Sequence, residues 1–154
     1  MAIVFKTTVD SYAVGRRANA EEWNSISRTL EGSSSLAFGT PVQRGTTDHG
    51  CVAYDDGDFL GIAETSQVLP HPGDYYSPPD TVAICEVGVI GVMAGDTVAA
   101  GEGAGYDPLA NSGEGGWVPA ATDVAQAPGC QFETSGAAGT VVLVRIRRPV
   151  PVSA

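Results

Sequence analysis

Residues 81–93 read TVAICEVGVIGVM and form the longest apolar run of the chain. Valine and isoleucine dominate this run, and β-branched residues favour strands. Gly88 and Gly91 interrupt it, and glycines inside a strand indicate a hairpin turn, a bulge or a sharp bend. Residues 141–146, VVLVRI, are again apolar and β-branched, as expected of a central barrel strand. These two stretches predict an all-β fold.

Shorter strands are predicted on either side of this run. Residues 36–42, 50–54, 59–63 and 131–134 are apolar or alternate between apolar and polar residues. Gly, Asp and Pro separate them, and these residues favour turns. Short strands joined by closely spaced turns are typical of a small barrel or sandwich. The chain has 154 residues, which is enough for one domain with its own core.

Two segments do not have a strand pattern. Residues 70–80 contain four prolines and are predicted to be a loop. Residues 101–129 are rich in Gly, Ala and Pro and are predicted to form a long surface loop. Residues 19–30 fit either a helix or a strand, and we expect a short helical turn followed by a strand.

The first 22 residues are predicted to be an N-terminal arm. Small and polar residues dominate there, with isolated apolar anchors at Phe5 and Tyr12. Segments of this kind are ordered mainly when a partner holds them. The expected organisation is an arm at 1–22, a β-barrel domain at 23–148 and an extended tail at 149–154.

Charge is distributed very unevenly along the sequence. The net charge is −10, yet residues 45–144 hold 14 of the 18 acidic residues and no Lys or Arg. A stretch without cations offers no phosphate-binding surface, so nucleic-acid binding is not expected. The flanks carry all eight cations and could meet an acidic protein surface. These cations are Lys6, Arg16, Arg17, Arg28, Arg44, Arg145, Arg147 and Arg148.

The sequence predicts neither a membrane span nor secretion. It has no run of eighteen apolar residues, and its first residues lack the charged start and long apolar stretch of a signal peptide. Synthesis in a cytoplasm is therefore expected. The three cysteines are far apart in sequence and are predicted to be buried free thiols. A metal site that combines them with His49 and His71 is the alternative, but this spacing fits no known zinc module.

No catalytic constellation is visible. His49 and His71 are the only side chains with an ordinary pKa near neutrality, and both lie in turn-like stretches. No GxSxG motif surrounds a serine. The acidic residues at 55–58 fit a tight turn better than a calcium loop, because the distal Glu of an EF-hand is missing. We therefore predict no catalytic residue, no cofactor and no metal.

Two further features suggest binding sites but have simpler interpretations. The glycines at 101, 103 and 105 do not fit GxGxxG or a Lys-bearing phosphate loop, so a flexible loop is expected. Trp117 could be a binding aromatic, or it could pack its loop onto the barrel, which is the interpretation we prefer.

An ordered set of motifs resembles the cement, or decoration, proteins of tailed-phage capsids. That family has short strand and turn signatures in a fixed order, and they match this chain over about residues 18–147. The matching pieces are ANA at 18–20, ISRT at 26–29, FGTPV at 38–42, GCV at 50–52, FLGIA at 59–63, residues 82–92, GDTV at 95–98 and TSGAAGTVVLVR at 134–145. Residues 101–129 depart from the family pattern, being longer and richer in Gly.

The resemblance implies a small β-barrel or β-tulip-like domain that forms a homotrimer. Such proteins bind the capsid exterior and bridge neighbouring major capsid proteins, so the expected location is the virion. We predict no nucleic-acid or membrane partner. The predicted partner-binding residues are Phe5, Tyr12, Arg16, Arg17, Trp23 and Arg28. Two alternatives remain open: a tail or baseplate β-domain, and a small trimeric β enzyme such as a nucleotide hydrolase.

Overall fold

The computed structural model describes residues 12–66, 73–121 and 123–147. Over these residues the fold is almost entirely β, as predicted, with one short helical turn, α1 (Ala110–Gly113). The strands are β1 (Asn24–Leu30), β2 (Leu36–Ala37), β3 (Pro41–Arg44), β4 (Gly50–Ala53), β5 (Phe59–Ala63), β6 (Tyr75–Tyr76), β7 (Thr81–Met93), β8 (Gly103–Asp107), β9 (Gly116–Pro119), β10 (Ala125–Phe132) and β11 (Val141–Ile146).

Five strands close into a barrel in the order β1-β4-β3-β5-β7, because β1 pairs with both β4 and β7. The β1–β4 pair is parallel and places Thr29 opposite Gly50, whereas the β1–β7 pair is antiparallel. Buried apolar side chains from β2, β3, β6 and β7, among them Leu36, Val42, Tyr76 and Ile84, belong to one core cluster. The predicted small β-barrel is confirmed.

A second sheet shares the long strand β7 and has the order β7-β11-β10-β8-β9. Residues of β11 pair with the second half of β7, from Val141 opposite Met93 to Ile146 opposite Gly88. A second core cluster lies on this side and includes Ile90, Trp117, Phe132 and Val144. Since β7 belongs to both sheets, it is buried along most of its length, which explains its nearly continuous apolar sequence.

The glycines of β7 do not make it turn. Residues 81–93 form one continuous strand, so the expected hairpin turn does not occur there. The pairing of β7 with β1 does shift register between Cys85 and Val87, as in the bulge that was the second expectation. A Cβ at Gly88 would collide with the indole ring of Trp23, and a Cβ at Gly91 would collide with the carbonyl oxygen of Ala13. Glycine is needed at these two positions because other parts of the chain lie directly against the strand.

Three predictions about local structure were wrong. Residues 101–129 are not a long loop, because they contain β8, α1, β9 and the first half of β10. Residues 19–23 form bends rather than a helical turn before β1. The predicted loop at 70–80 contains the short strand β6, which pairs with β2; residues 67–72 lie outside the described part.

The described part of the predicted arm lies along β7. The amide N–H of Gly15 donates to the carbonyl oxygen of Gly91 at 2.8 Å, and that of Ala18 donates to the carbonyl oxygen of Val89 at 2.9 Å. Arg17 also forms an antiparallel bridge with Ile90. Residues 1–11 and the tail at 149–154 lie outside the described residues, so the boundaries of arm and tail stay predictions.

All three cysteines are buried free thiols, as predicted. Burial raises the pKa of Cys51 to about 11 and raises the pKa values of Cys85 and Cys130 as well. Within the described ranges, no group of three or more His, Cys, Asp or Glu side chains is placed to hold a metal ion. No helix in these ranges is long and apolar enough to cross a membrane.

Glu31 anchors the turn between β3 and β4. Its carboxylate accepts hydrogen bonds from the backbone amides of Thr46 and Thr47, at 2.8 and 2.9 Å, and from both threonine hydroxyls. These bonds favour the charged form and lower the pKa of Glu31 from 4.5 to about 2. The carboxylate therefore contributes stability above about pH 4.5, and this contribution is lost as pH falls towards 2.

We expect Glu31→Gln to lower the melting temperature at neutral pH, and the difference from wild type to shrink as the pH falls below about 4.5. Thermal unfolding over a pH series, followed by circular dichroism, measures both curves. Glu114→Gln, which removes an exposed carboxylate from another loop, is the matched control. A difference between Glu31→Gln and wild type that does not change with pH would contradict this account.

Candidate functional site

The six residues predicted to bind a partner are found in different settings. Phe5 lies outside the described residues. Arg16 and Arg17 are exposed, and Tyr12, Trp23 and Arg28 are half-buried. Among the five that are described, Arg17 and Trp23 contact one another.

Arg17 and Trp23 form one structural unit. The guanidinium of Arg17 stacks over the Trp23 ring at 5.6 Å from the ring centroid. It also donates hydrogen bonds to the carbonyl oxygens of Asn19 and Glu21, at 2.7 and 2.6 Å. The Trp23 indole donates to the hydroxyl of Ser25 at 2.9 Å. These contacts fix an exposed cation and an aromatic ring beside β7, a combination that is frequent at protein interfaces.

Arg145 was not among the predicted site residues, yet it joins this unit. Both of its Nη atoms bind the Glu21 carboxylate, and its Nε donates to Glu133 at 2.5 Å. Hydrogen bonds to Arg145 lower the pKa of Glu21, and the two carboxylates raise the pKa of Arg145. Strand pairing explains this position, because Arg145 lies opposite Val89 and Arg17 is bridged to Ile90, the next residue of β7.

Segments near both ends of the described chain therefore meet on one flank of β7. Here we name Arg17, Trp23, Arg145 and Arg147 the β7 flank. A groove of about 440 Å³ runs along it and is lined by Arg145 and Arg147 together with Glu21, Glu22, Val87, Gly88 and Ile146. The sequence showed that cations are concentrated towards both ends. It contained no signal that Arg17 and Arg145, which are 128 positions apart, would lie next to adjacent residues of β7.

The other predicted cations are not on this flank. Arg16, the residue before Arg17, lines a separate cleft. Arg28 lies on β1 opposite Val82, towards the first end of β7, and donates to the carbonyl oxygen of Ser27 at 2.8 Å. The structure thus does not bring the six predicted residues into one site.

Two buried carboxylates secure the start of β1. Glu64 accepts a hydrogen bond from the Ser25 hydroxyl, and Glu86 accepts one from the Asn24 amide at 2.5 Å. Burial raises the pKa of Glu64. These bonds hold Asn24 and Ser25, the two residues that follow Trp23, at the start of β1.

Trp117 packs the second sheet onto the barrel, as preferred from the sequence. Its side chain is 1% exposed, and its indole Nε1 donates to the carbonyl oxygen of Gly39 at 2.7 Å. The ring makes an edge-to-face contact with Tyr106 at a centroid distance of 5.9 Å. Trp117 is therefore a structural residue of the core.

A second, larger cleft lies between the barrel and the second sheet. Its volume is about 1010 Å³, and we name it the aromatic cleft. Ala13, Val14 and Arg16 form one side of it. Its other lining residues include Ala37, Phe38, Asp74, Tyr75, Met93, Tyr106, Pro108, Glu114 and Trp117.

Comparison with solved structures finds a similar fold in phage particles. The capsid of Myoviridae phage XM1 contains a chain that matches with a TM-score of 0.70 and 17% identity, over 95% of this chain and 96% of that one. The N base of the head fibre protein gp8.5 of bacteriophage phi29 matches with a TM-score of 0.46 and 13% identity, over 86% of this chain and 100% of that one. No curated protein matches the sequence.

The family comparison is more specific. The family of structural cement proteins that includes E217 gp24 and Pam3 gp6 matches residues 5–147, which is nearly the whole chain. The resemblance found in the short strand and turn motifs is confirmed by this match. The chain therefore belongs to the phage structural cement protein family and has a capsid cement or decoration role.

Proposed function

We propose that this protein binds the outer surface of a phage capsid as a homotrimer and joins neighbouring copies of the major capsid protein. The match to the cement family over residues 5–147 carries this proposal. The protein acts without catalysis, cofactor, nucleic acid or membrane, after synthesis in the host cytoplasm. The family is structural, which supports a role in mechanical stabilisation.

The proposed contact surface is the β7 flank, and we propose that the other predicted residues Phe5, Tyr12, Arg16 and Arg28 contact the capsid as well. The rest of the chain is strongly acidic, since residues 45–144 contain no Lys or Arg. Arg17 and Arg147, the exposed cations of the flank, would be attracted to an acidic shell, while the acidic surface would be repelled by it. Charge would thus orient each subunit on the capsid as well as attract it.

A trimer would strengthen binding without requiring a large interface for each subunit. Three linked contacts raise the effective concentration of the second and third once the first has formed. An interface of roughly 800 Å² per partner is then sufficient for stable attachment. Repeated over a shell, such contacts would hold neighbouring capsid proteins together.

Reconstitution tests the proposal. Purified protein added to capsids that lack it should bind in near-stoichiometric amounts, and the decorated capsids should resist higher temperatures than bare ones. Cryo-electron microscopy should show three-fold density on the outside of the shell. Density at the tail or baseplate, or binding that leaves the heat resistance of the capsid unchanged, would contradict the proposed role.

A further inference from the structure

Two consecutive hydrogen bonds link the exposed β7 flank to a buried carboxylate. The indole Nε1 of Trp23 donates to the hydroxyl oxygen of Ser25 at 2.9 Å. The Ser25 hydroxyl in turn donates to the carboxylate of Glu64, which directly follows β5 and is 9% exposed. At the outer end, the guanidinium of Arg17 lies 5.6 Å from the centroid of the Trp23 ring. A buried acid is therefore connected to an exposed cation.

The direction of these bonds depends on the charge of Glu64. A carboxylate only accepts hydrogen bonds, so it attracts the hydroxyl hydrogen of Ser25 and leaves the lone pairs of the Ser25 oxygen for the Trp23 N–H. A bond to an ionised acceptor is stronger than a neutral one, and it strengthens the next bond along. A protonated Glu64 can instead donate to Ser25 and compete with the indole for the same lone pairs. The indole is thus held most firmly while Glu64 is charged.

The environment of Glu64 makes its charge sensitive to mild acid. Burial raises the pKa of Glu64 above 4.5, and hydrogen bonds from Ser25 and Trp23 oppose this rise because they favour the charged form. Coupling of this kind is reciprocal, so contacts that favour the charged form are weakened when the group is protonated. As the pH falls towards 4.5, Trp23 should therefore lose part of its support.

The other groups around Glu64 do not supply an opposite charge. The Tyr76 hydroxyl on β6 donates to the backbone carbonyl oxygen of Glu64 at 2.7 Å. Burial and, less strongly, the charge of Glu64 raise the pKa of Tyr76 to about 12 and raise the pKa of Cys85 on β7 as well, so both stay neutral. Glu86 follows Cys85 and accepts a hydrogen bond from the Asn24 amide. No Lys, Arg or His side chain in the described part of the chain shifts the pKa of Glu64.

We propose that Glu64 is a positioning residue of the β7 flank, which holds Trp23, and with it Arg17, by way of the Ser25 hydroxyl. When this support is lost, a smaller fraction of molecules has both side chains in place, and the affinity for a partner falls with that fraction. Capsid binding should then weaken in mild acid. The link to the capsid rests on the proposed function, whereas the positioning of Trp23 can be measured on the isolated protein.

Acrylamide quenching of tryptophan fluorescence measures this positioning. The chain has two tryptophans, and Trp117 is 1% exposed, so quenching reports mainly on Trp23. For wild type we expect quenching to increase as the pH falls from neutral towards 4.5. Glu64→Gln cannot carry the charge, so it should be strongly quenched at neutral pH and should not change over this range. Ser25→Ala should behave in the same way, and Ser25→Thr, which keeps the hydroxyl, should behave like wild type.

Glu31→Gln is the matched control. It removes another carboxylate that accepts hydrogen bonds, but one that lies beside the turn between β3 and β4. The pKa of Glu31 is about 2, and hydrogen bonding to Arg145 lowers the pKa of Glu21, so both carboxylates stay charged over the tested range. Circular dichroism at each pH shows which variants are folded. Ser25 is exposed, so its two variants decide the proposal even if Glu64→Gln does not fold.

Three results would overturn the proposal. They are quenching of Ser25→Ala or Glu64→Gln that equals that of wild type, a pH response that persists in Glu64→Gln, and an equal increase in quenching in Glu31→Gln. The expected pattern, with normal behaviour of Ser25→Thr, supports it, because a merely structural bond would not give this pH profile.

Titration of bare capsids separates this proposal from the proposed function. If both are correct, Ser25→Ala should bind about two- to tenfold more weakly than wild type, the effect of one lost hydrogen bond, and Ser25→Thr should bind normally. Increased quenching of Trp23 with unchanged affinity would show that the β7 flank is not the capsid contact. Unchanged quenching would refute the positioning role of Glu64 even where the protein binds capsids normally.

Discussion

Arg17→Glu should weaken binding to undecorated capsids by at least about tenfold, because it places a negative charge where the proposed interface needs a positive one. Arg17 is exposed and is held in place by its stacking on Trp23 and by two backbone carbonyl oxygens. Because the Arg17 side chain is already held in place, it loses little conformational entropy when it binds. Its electrostatic attraction therefore contributes almost fully to the affinity, and the replacement removes that contribution. Titration of capsids with labelled protein measures the affinity.

Arg44→Glu is the matched control for this prediction. It makes the same change in net charge on β3, where Arg44 forms an exposed ion pair with Asp58 at 2.9 Å. Such pairs contribute little to stability, so the control should fold normally. Its affinity for capsids should stay close to that of wild type, and the affinity of the wild type should fall with added salt. Equal losses in both variants would show that net charge, rather than the β7 flank, determines binding.

Strands buried on both faces were predicted best. Residues 59–63 were predicted as a strand with the bounds that the structure has, and β11 (Val141–Ile146) matches a predicted strand. The apolar run at 81–93 has the bounds of β7, although a break at its glycines was expected. These strands pack against apolar side chains on two sides, so they consist of uninterrupted apolar residues that stand out in any sequence. The strand pairing that closes the barrel could not be predicted, because β1 pairs with both β4 and β7 across long separations.

Glycine-rich strands were missed for a physical reason. Residues 103–107 and 116–119 look like loop because glycine weakens an isolated strand. Here Gly105 lies against Val124, and Gly116 lies against the backbone of Gly95, so the missing side chains allow close packing. Ala104 and Tyr106, two buried residues separated by one position, were the remaining signal for β8, but the segment is short.

The contacts within the candidate site could not be predicted, and its partner-binding role stays a prediction. The sequence identified Arg17 and Trp23 as members of a partner-binding set, but it could not show that they contact each other or that Arg145 lies beside them. That arrangement arises from the register of β11 on β7, which no local pattern encodes. The groove and the aromatic cleft are likewise products of tertiary packing.

Trp117→Ala should destabilise the protein by about 3–5 kcal/mol, the usual cost of removing a large buried aromatic side chain. Trp117 is 1% exposed, contacts Tyr106 on the neighbouring strand of its own sheet, and reaches the barrel side through its hydrogen bond to Gly39. The free energy of unfolding of a small domain is about 5–15 kcal/mol, so this loss would be a large fraction of the total. Urea unfolding followed by circular dichroism measures it.

Two further variants separate the contributions of Trp117. Trp117→Phe keeps most of the apolar surface but removes the indole N–H, which leaves the Gly39 carbonyl oxygen without this donor; we expect a loss of about 1–3 kcal/mol. Trp23→Ala removes the other tryptophan of the chain, which is half-buried, and should cost about 1 kcal/mol. If Trp23→Ala were as destabilising as Trp117→Ala, the two sheets would not depend on Trp117 for their packing. A ranking of Trp117→Ala above Trp117→Phe above Trp23→Ala would identify the indole as the main connection between the barrel and the second sheet.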